Sequence, residues 1–251
     1  MIYLLFLFII IYLCYYNKDN FKSNNTYRNK SNNKLSVIIL SYNRPHNIEQ
    51  TIKKIHDYDI IDEILILHGS LQFYKKYNYK KVKNIIDFKN NELYGAARRF
   101  LNVKFAKNDI ILFLDDDILP SKKLIYEGYT KVKNSNSNTF YGKYKRTCTK
   151  NEYSSSQNAK NNVILIGLSF CKKNILEKYI THKNGFSKYK HFLKKHKGNC
   201  EDLAFNLFII KHYKTQPQYL NERYIELDKT NGYESDKNHY KIRDLFCKTY
   251  F

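Results

Sequence analysis

Five apolar residues, Ile110 to Leu114, run straight into three consecutive aspartates, Asp115, Asp116 and Asp117, before the chain turns apolar again at Ile118 and Leu119. Adjacent carboxylates repel, and apolar neighbours that exclude water strengthen the repulsion. The run reads as a buried strand that brings the acids out at its end, either beside a cation or as a solvated acidic turn. The former restricts the fold to those in which strand ends converge on a site.

The preceding segments carry the alternation such a fold needs. LSVIILSYNRP (35–45) is a continuous apolar, β-rich run closed by a polar turn, which predicts a strand buried on both faces. Ile48, Ile52 and Ile55 follow at helical spacing. DEILILHGS (62–70) predicts a second strand, VKNIIDF (82–88) a third and DIILFL (109–114) a fourth. Residues 91–108 predict a helix with Leu93, Ala97, Leu101 and Phe105 on one stripe. This β-α-β-β-α-β order predicts an α/β domain with a mostly parallel sheet and helices on both faces. Ligands of such sheets bind beyond the carboxyl ends of the strands. Those ends carry Tyr42, Asn43 and Arg44, then His68, then the three aspartates.

A divalent cation answers the question the triplet raises. Mg²⁺ and Mn²⁺ take oxygen ligands and commonly keep one or two protein carboxylates beside substrate phosphates. Alternation along an extended segment predicts Asp115 and Asp117 on the ligand side and Asp116 on the other. A metal-bridged nucleotide diphosphate fits, because the metal stabilises charge on a departing diphosphate.

VILIGLSFCKKNIL (163–176) reads as a buried strand followed by a helix, with Gly167 marking a close backbone approach. GNCEDLAFNLFIIKHY (198–213) places Glu201 and Asp202 at a helix start, where the dipole and free N–H groups favour acids. Plain capping accounts for them. So does a site role in which Asp202 stabilises oxocarbenium-like charge as a sugar–phosphate bond opens. Near the end, His239 and Arg243 lie on a further helical stretch.

LSVIILSYNRP, FLDDD and NCEDLAFNLFI together resemble the exostosin-like glycosyltransferases, over most of residues 35–250. The resemblance implies a GT-A fold, a UDP-sugar donor, Mn²⁺ (or Mg²⁺) as cofactor and transfer with retention. Matched by position, Tyr42, Asn43 and Arg44 would line the uridine pocket, and His68 would stand in for an asparagine near the base. Arg99 would lie near the nucleotide or diphosphate, with Asp115 on the ribose, Asp116 beside it and Asp117 on the metal. Gly167, with Leu168 and Ser169, would line the sugar pocket. Asp202, with Glu201 as neighbour, would be catalytic, and Arg243 would hold the leaving diphosphate. Cys200 and Cys247, two of the five cysteines, match positions that pair as a disulfide. The implied reaction moves an N-acetylhexosamine-like sugar to a glycan or glycoconjugate acceptor. An inverting GT-A transferase is the nearest alternative, and a non-catalytic anion- or nucleic-acid-binding protein the more distant one.

Charge bears on that last reading. The net charge is +21, but the lysines are spread from end to end without an arginine-rich tract. The field attracts anions, and nucleic acid is not the expected partner. The first sixteen residues, MIYLLFLFIIIYLCYY, carry no charge. As a helix they span about 24 Å, which predicts a single membrane anchor. Residues 17–34 read as a flexible stem, leaving 35–251 as the catalytic domain. Lys18, Lys22, Arg28 and Lys30 follow the anchor and by charge alone would hold the domain in the cytosol. The disulfide implied by the resemblance favours a lumenal, oxidising compartment instead.

Overall fold

The four strands predicted between residues 35 and 114 form one sheet: β1 (Leu35–Ser41), β2 (Ile61–His68), β3 (Val82–Ile86) and β4 (Ile110–Leu114). They lie parallel in the order β3–β2–β1–β4. The computed structural model describes residues 34–155, 161–230 and 237–251. The predicted anchor (1–16) and nearly all of the stem lie outside them. Among the described residues no helix is long and apolar enough to cross a membrane.

Beyond β4 the sheet changes direction. β5 (Ile118–Pro120) leaves it, while β6 (Phe140–Cys148), β7 (Tyr153–Ser154) and β8 (Val163–Lys172) join it antiparallel to one another, with β8 against β4. β9 (Gln218–Tyr219) adds to β6 in parallel, and β10 (Tyr224–Glu226) pairs with β5 as a separate ribbon. The parallel half matches the sequence reading; the antiparallel half comes from the later strands.

Successive side chains of a strand face opposite ways, so strands apolar throughout build two cores. Val37, Ile39, Ile66 and Leu112 meet Ile48, Ile52 and Ile55 of α1 (Pro45–Ile55) on one face. Ile38, Leu65, Leu67, Ile111 and Phe113 build the other. The helix expected over 91–108 is broken. α2 (Phe88–Tyr94) stops at Gly95, whose φ of +46° ends the spiral, and α3 (Arg98–Leu101) resumes after one 3-10 turn. Phe100 faces the core, and Phe105 is exposed rather than on the buried stripe.

α4 (Lys122–Asn134), capped by the Ser121 hydroxyl, covers the first core. α5 (Lys173–Thr181), α6 (Phe186–Lys195), α7 (Glu201–Phe208) and α8 (His239–Tyr250) cover the second, where Phe205 packs against Phe100, Phe140 and Tyr179. α8 is tied to β6 by a disulfide between Cys148 and Cys247, with Cα atoms 5.3 Å apart. The pairing of Cys247 with Cys200 implied by the resemblance is therefore corrected, and Cys200 is a buried free thiol. Its sulfur lies 3.8 Å from the Ile242 carbonyl, more than a helical turn before Cys247 on α8.

Candidate active site

The carboxyl ends of β1, β2 and β4 open on one side of the sheet, and buried arginines organise it. Arg98 is buried beneath the site and donates to the carbonyls of Leu67 (2.9 Å) and Ser41 (3.2 Å), stitching the ends of β2 and β1 together. Arg99, its neighbour, turns to the acids. It donates to Asp115 at 2.7 Å and lies 3.8 Å from Glu201. Burial opposes its charge, but Asp115 and Glu201 outweigh burial and raise its pKa.

The three aspartates do not alternate. β4 ends at Leu114, and a tight turn closed by Ile118 N–H to Asp115 C=O (3.4 Å) follows, so strand geometry no longer applies. Asp116 and Asp117 both bond Arg44, while Asp115 alone meets Arg99. Asp116 is thus on the same guanidinium as Asp117 rather than facing away. It is also the most enclosed of the three. Burial lifts its carboxyl to about 7, although Arg44 pulls the other way. Asp117 is raised too, by burial and then by Asp115. Asp115 and Asp117 remain partly open, with side chains 37% and 22% exposed.

Arg44 is held in turn. Pro45 starts α1, where its missing N–H costs nothing. The Arg44 guanidinium donates to Asp117 (3.2 Å) and to the Asp228 carbonyl (3.3 Å), and Asn47 donates to that carbonyl at 2.8 Å. The Leu227 N–H donates to the Asp117 carbonyl at 2.8 Å, so the stretch beginning at β10 lies directly against the triplet. Tyr42 is half exposed, its ring 6.1 Å from Phe73, and Asn43 occupies the same turn. His68 is buried. Its Nε2 pairs with the Asn84 side-chain oxygen at 3.0 Å, its ring packs edge-on to Tyr74, and burial lowers its pKa.

Gly167 faces the triplet across the sheet. β8 bulges there: Gly142 pairs with Ser169 and Tyr144 with Leu165, leaving three residues of β8 opposite Lys143. One step past the β4–β8 register the Gly167 carbonyl accepts from Asp115 N–H at 2.7 Å, and a Cβ at Gly167 would overlap the Asp115 carboxylate. The glycine is needed to seat Asp115. Leu168 and Ser169 are core residues rather than pocket lining; the Ser169 hydroxyl donates to the Ile166 carbonyl.

A second charge cluster adjoins the first. The α6–α7 connection passes through three consecutive or near-consecutive left-handed residues, Lys197, Gly198 and Cys200. Gly198 lies so close to the Tyr94 carbonyl that no side chain fits. This turn aims the first residues of α7 inward. The Asp202 carboxylate accepts from Leu203 N–H (2.7 Å) and from Arg243 (2.5 Å). Arg243, buried in α8, also donates to Asn199 (3.3 Å) and lies 4.8 Å from the Tyr153 ring centre. Despite burial, Asp202 raises its pKa. Burial, then Asp202, lifts the Glu201 carboxyl to about 7. His239 heads α8, and its carbonyl accepts from Asn199 (3.2 Å).

Five acids and three arginines thus line one end of the sheet. Among the described residues no group of three or more His, Cys, Asp or Glu is arranged to hold a metal. The triplet nonetheless fits a divalent ion that brings its own phosphate ligands. Asp117 is a partly exposed carboxylate beside two others, an oxygen donor set of the kind a divalent cation takes. Sequence reasoning missed Arg98, Asn199 and Tyr153. Arg98 stood next to a chosen arginine and was separable only by which way each points.

The site thus sits where the parallel half of a mixed α/β sheet ends in an acidic triplet. The chain belongs to glycosyl transferase family 64, whose domain matches residues 35–250, and it is a glycosyltransferase. No curated protein matches it significantly in sequence. Among solved structures, S. aureus TarS aligns with a TM-score of 0.50 at 18% identity, over 78% of this chain and 37% of that one. The chain therefore spans little more than a third of TarS, and the likeness is one of fold. Francisella tularensis 2-C-methyl-D-erythritol 4-phosphate cytidylyltransferase (IspD) aligns with a TM-score of 0.48 at 17% identity, over 78% of this chain and 94% of that one.

Proposed function

We propose that the chain transfers an N-acetylhexosamine-like sugar from a UDP-sugar to a glycan or glycoconjugate acceptor, with retention and with Mn²⁺ or Mg²⁺. The observation that carries this reading is the convergence of the aspartate triplet with the Asp202–Arg243 pair at the carboxyl end of the sheet. Asp117, with Asp115 beside it, would hold the metal, which when bound supplies positive charge to the diphosphate. The chain's own residues do the rest. Tyr42 and Asn43 border the nucleoside side. Arg99 and Arg243 offer guanidinium charge to the phosphates as negative charge builds on the leaving group. Asp202 presents a fixed carboxylate to the anomeric carbon as it becomes electron-poor. An oxidising, lumenal compartment is supported by the Cys148–Cys247 bridge.

The test is ligand-dependent melting. UDP with Mn²⁺ is expected to raise the melting temperature, as any ligand of the folded state does. Asp117→Ala should lose most of that rise while melting normally without ligand, since the side chain is partly exposed. An equal rise in the variant would remove Asp117 from the metal.

The raised carboxyls give a second expectation. Between their ordinary values and pH 7, folded Glu201 and Asp116 hold protons that the unfolded chain has released. Their contribution to stability is complete below about pH 4 and is lost as the pH rises through 7. In chelator, the urea midpoint of Glu201→Gln should therefore fall less between pH 5 and pH 8 than that of the parent. Parallel curves would show that Glu201 is ionised throughout.

A further inference from the structure

The bulge in β8 around Gly167 has a consequence on β6. Lys143 is the single residue facing it, and Tyr144 follows. Tyr144 is half-buried and packs edge-on against Tyr224, with ring centres 5.3 Å apart. Tyr224 pairs with Pro120 in the ribbon of β5 and β10, the same ribbon whose continuation bonds the Asp117 carbonyl. Tyr219, on β9, pairs alongside Gly142. The Lys143 ammonium lies 5.1 Å from the Tyr219 ring centre and 5.8 Å from that of Tyr224, and donates to the Tyr219 hydroxyl at 3.2 Å. Lys145 lies 4.0 Å from the Tyr219 ring centre.

These residues form a wall beside the triplet. Burial drives the Tyr144 phenol far above its ordinary pKa, and Asp115 and Asp117 push it further, which registers their proximity. Strand pairing holds the wall, and the Leu220 N–H bond to the Gly142 carbonyl (2.9 Å) fixes its far edge. Tyr144, Tyr219 and Tyr224 are neither core nor fully exposed. With no tryptophan in the chain, tyrosine is the aromatic residue that combines a broad apolar face with a hydroxyl. Neither lysine is ion-paired to a carboxylate among the described residues, so their remaining N–H groups can donate outward. β6 continues from this wall to Cys148, which pairs with Tyr153 beneath Arg243. Tyr144 and Cys148 are separated by about 13 Å of strand, so β6 runs from the triplet to the Asp202–Arg243 pair.

We propose that Tyr219, Tyr224, Lys143 and Lys145, with Tyr144 behind them, are the subsite for the acceptor glycan. A pyranose ring lies with its apolar face on tyrosine while its hydroxyls accept from the lysines. This rests on the glycosyltransferase reading and adds to it the surface that selects the acceptor. The experiment uses the whole chain on an array of immobilised oligosaccharides, with UDP and Mn²⁺ present, beside melting curves with UDP and Mn²⁺ alone. The parent is expected to bind a subset of the glycans. Tyr219→Ala with Tyr224→Ala should weaken that binding by about tenfold or more. The nucleotide-induced melting shift should persist. Lys145→Ala, at an exposed position that folding tolerates, should weaken the same glycans more modestly. Unchanged glycan binding in both variants, or no glycan bound by the parent, overturns the subsite. Loss of the nucleotide shift in the variants assigns these residues to the donor side and overturns it as well. Absence of the nucleotide shift in the parent strikes instead at the UDP-sugar reading.

Discussion

Replacing Arg243 by alanine is expected to lower the stability of the domain by about 3–5 kcal/mol, the usual cost of stranding one partner of a buried ion pair. For a domain of this size that is a fall in melting temperature of roughly 10 °C. The reason is local. Asp202 loses its 2.5 Å partner, and Glu201 next to it already resists ionisation. Two buried carboxyls then share Arg99 alone, 3.8 Å from Glu201. Asp202→Asn should be milder for folding, because Arg243 keeps Asn199 and the Tyr153 ring. It should nevertheless cost sugar transfer about a hundredfold or more, if the carboxylate charge is what the reaction uses. Melting and transfer measured side by side separate the two roles. Equal damage from both substitutions in both assays would reduce the pair to a structural one.

Cys148→Ser is expected to cost about 4 kcal/mol, because the lost bridge joins residues 99 apart in sequence and restrains a long loop of the unfolded chain. Cys200→Ser should change little, since a hydroxyl can take over the weak contacts of the thiol to Asn199 and Ile242. Thiol alkylation under denaturing, non-reducing conditions should label Cys200 and Cys171 and spare Cys148 and Cys247. Labelling of Cys148 with protection of Cys200 would restore the pairing implied by the resemblance.

β1, β2 and β4 were readable because strands buried on both faces are largely apolar along their length, whereas β3, half-exposed at the sheet edge, was readable only from its short β-branched run. The site residues were readable where a strand end or helix start exposes them: Arg44, the triplet, Glu201 and Asp202 fall together as their positions imply. What stayed hidden depends on where regular geometry stops. Gly95 cuts a helix whose periodicity looked continuous, which moves Phe105 outward. The turn after Leu114 puts Asp116 on the same guanidinium as Asp117. The bulge opposite Lys143 brings a distant stretch of β6 to the triplet, and no local pattern announces it. Cys148 sits in a strand with no spacing signal that links it to Cys247.

Arg44 holds two acids of the triplet and the Asp228 carbonyl at once. The triplet therefore carries an internal counter-ion, and a cation of the proposed kind would bind in competition with a tethered guanidinium. Because Arg44 and Asn47 share the Asp228 carbonyl, the charge balance of the triplet and the anchoring of the chain at Asp228 depend on one side chain, so Arg44→Ala should disturb both together.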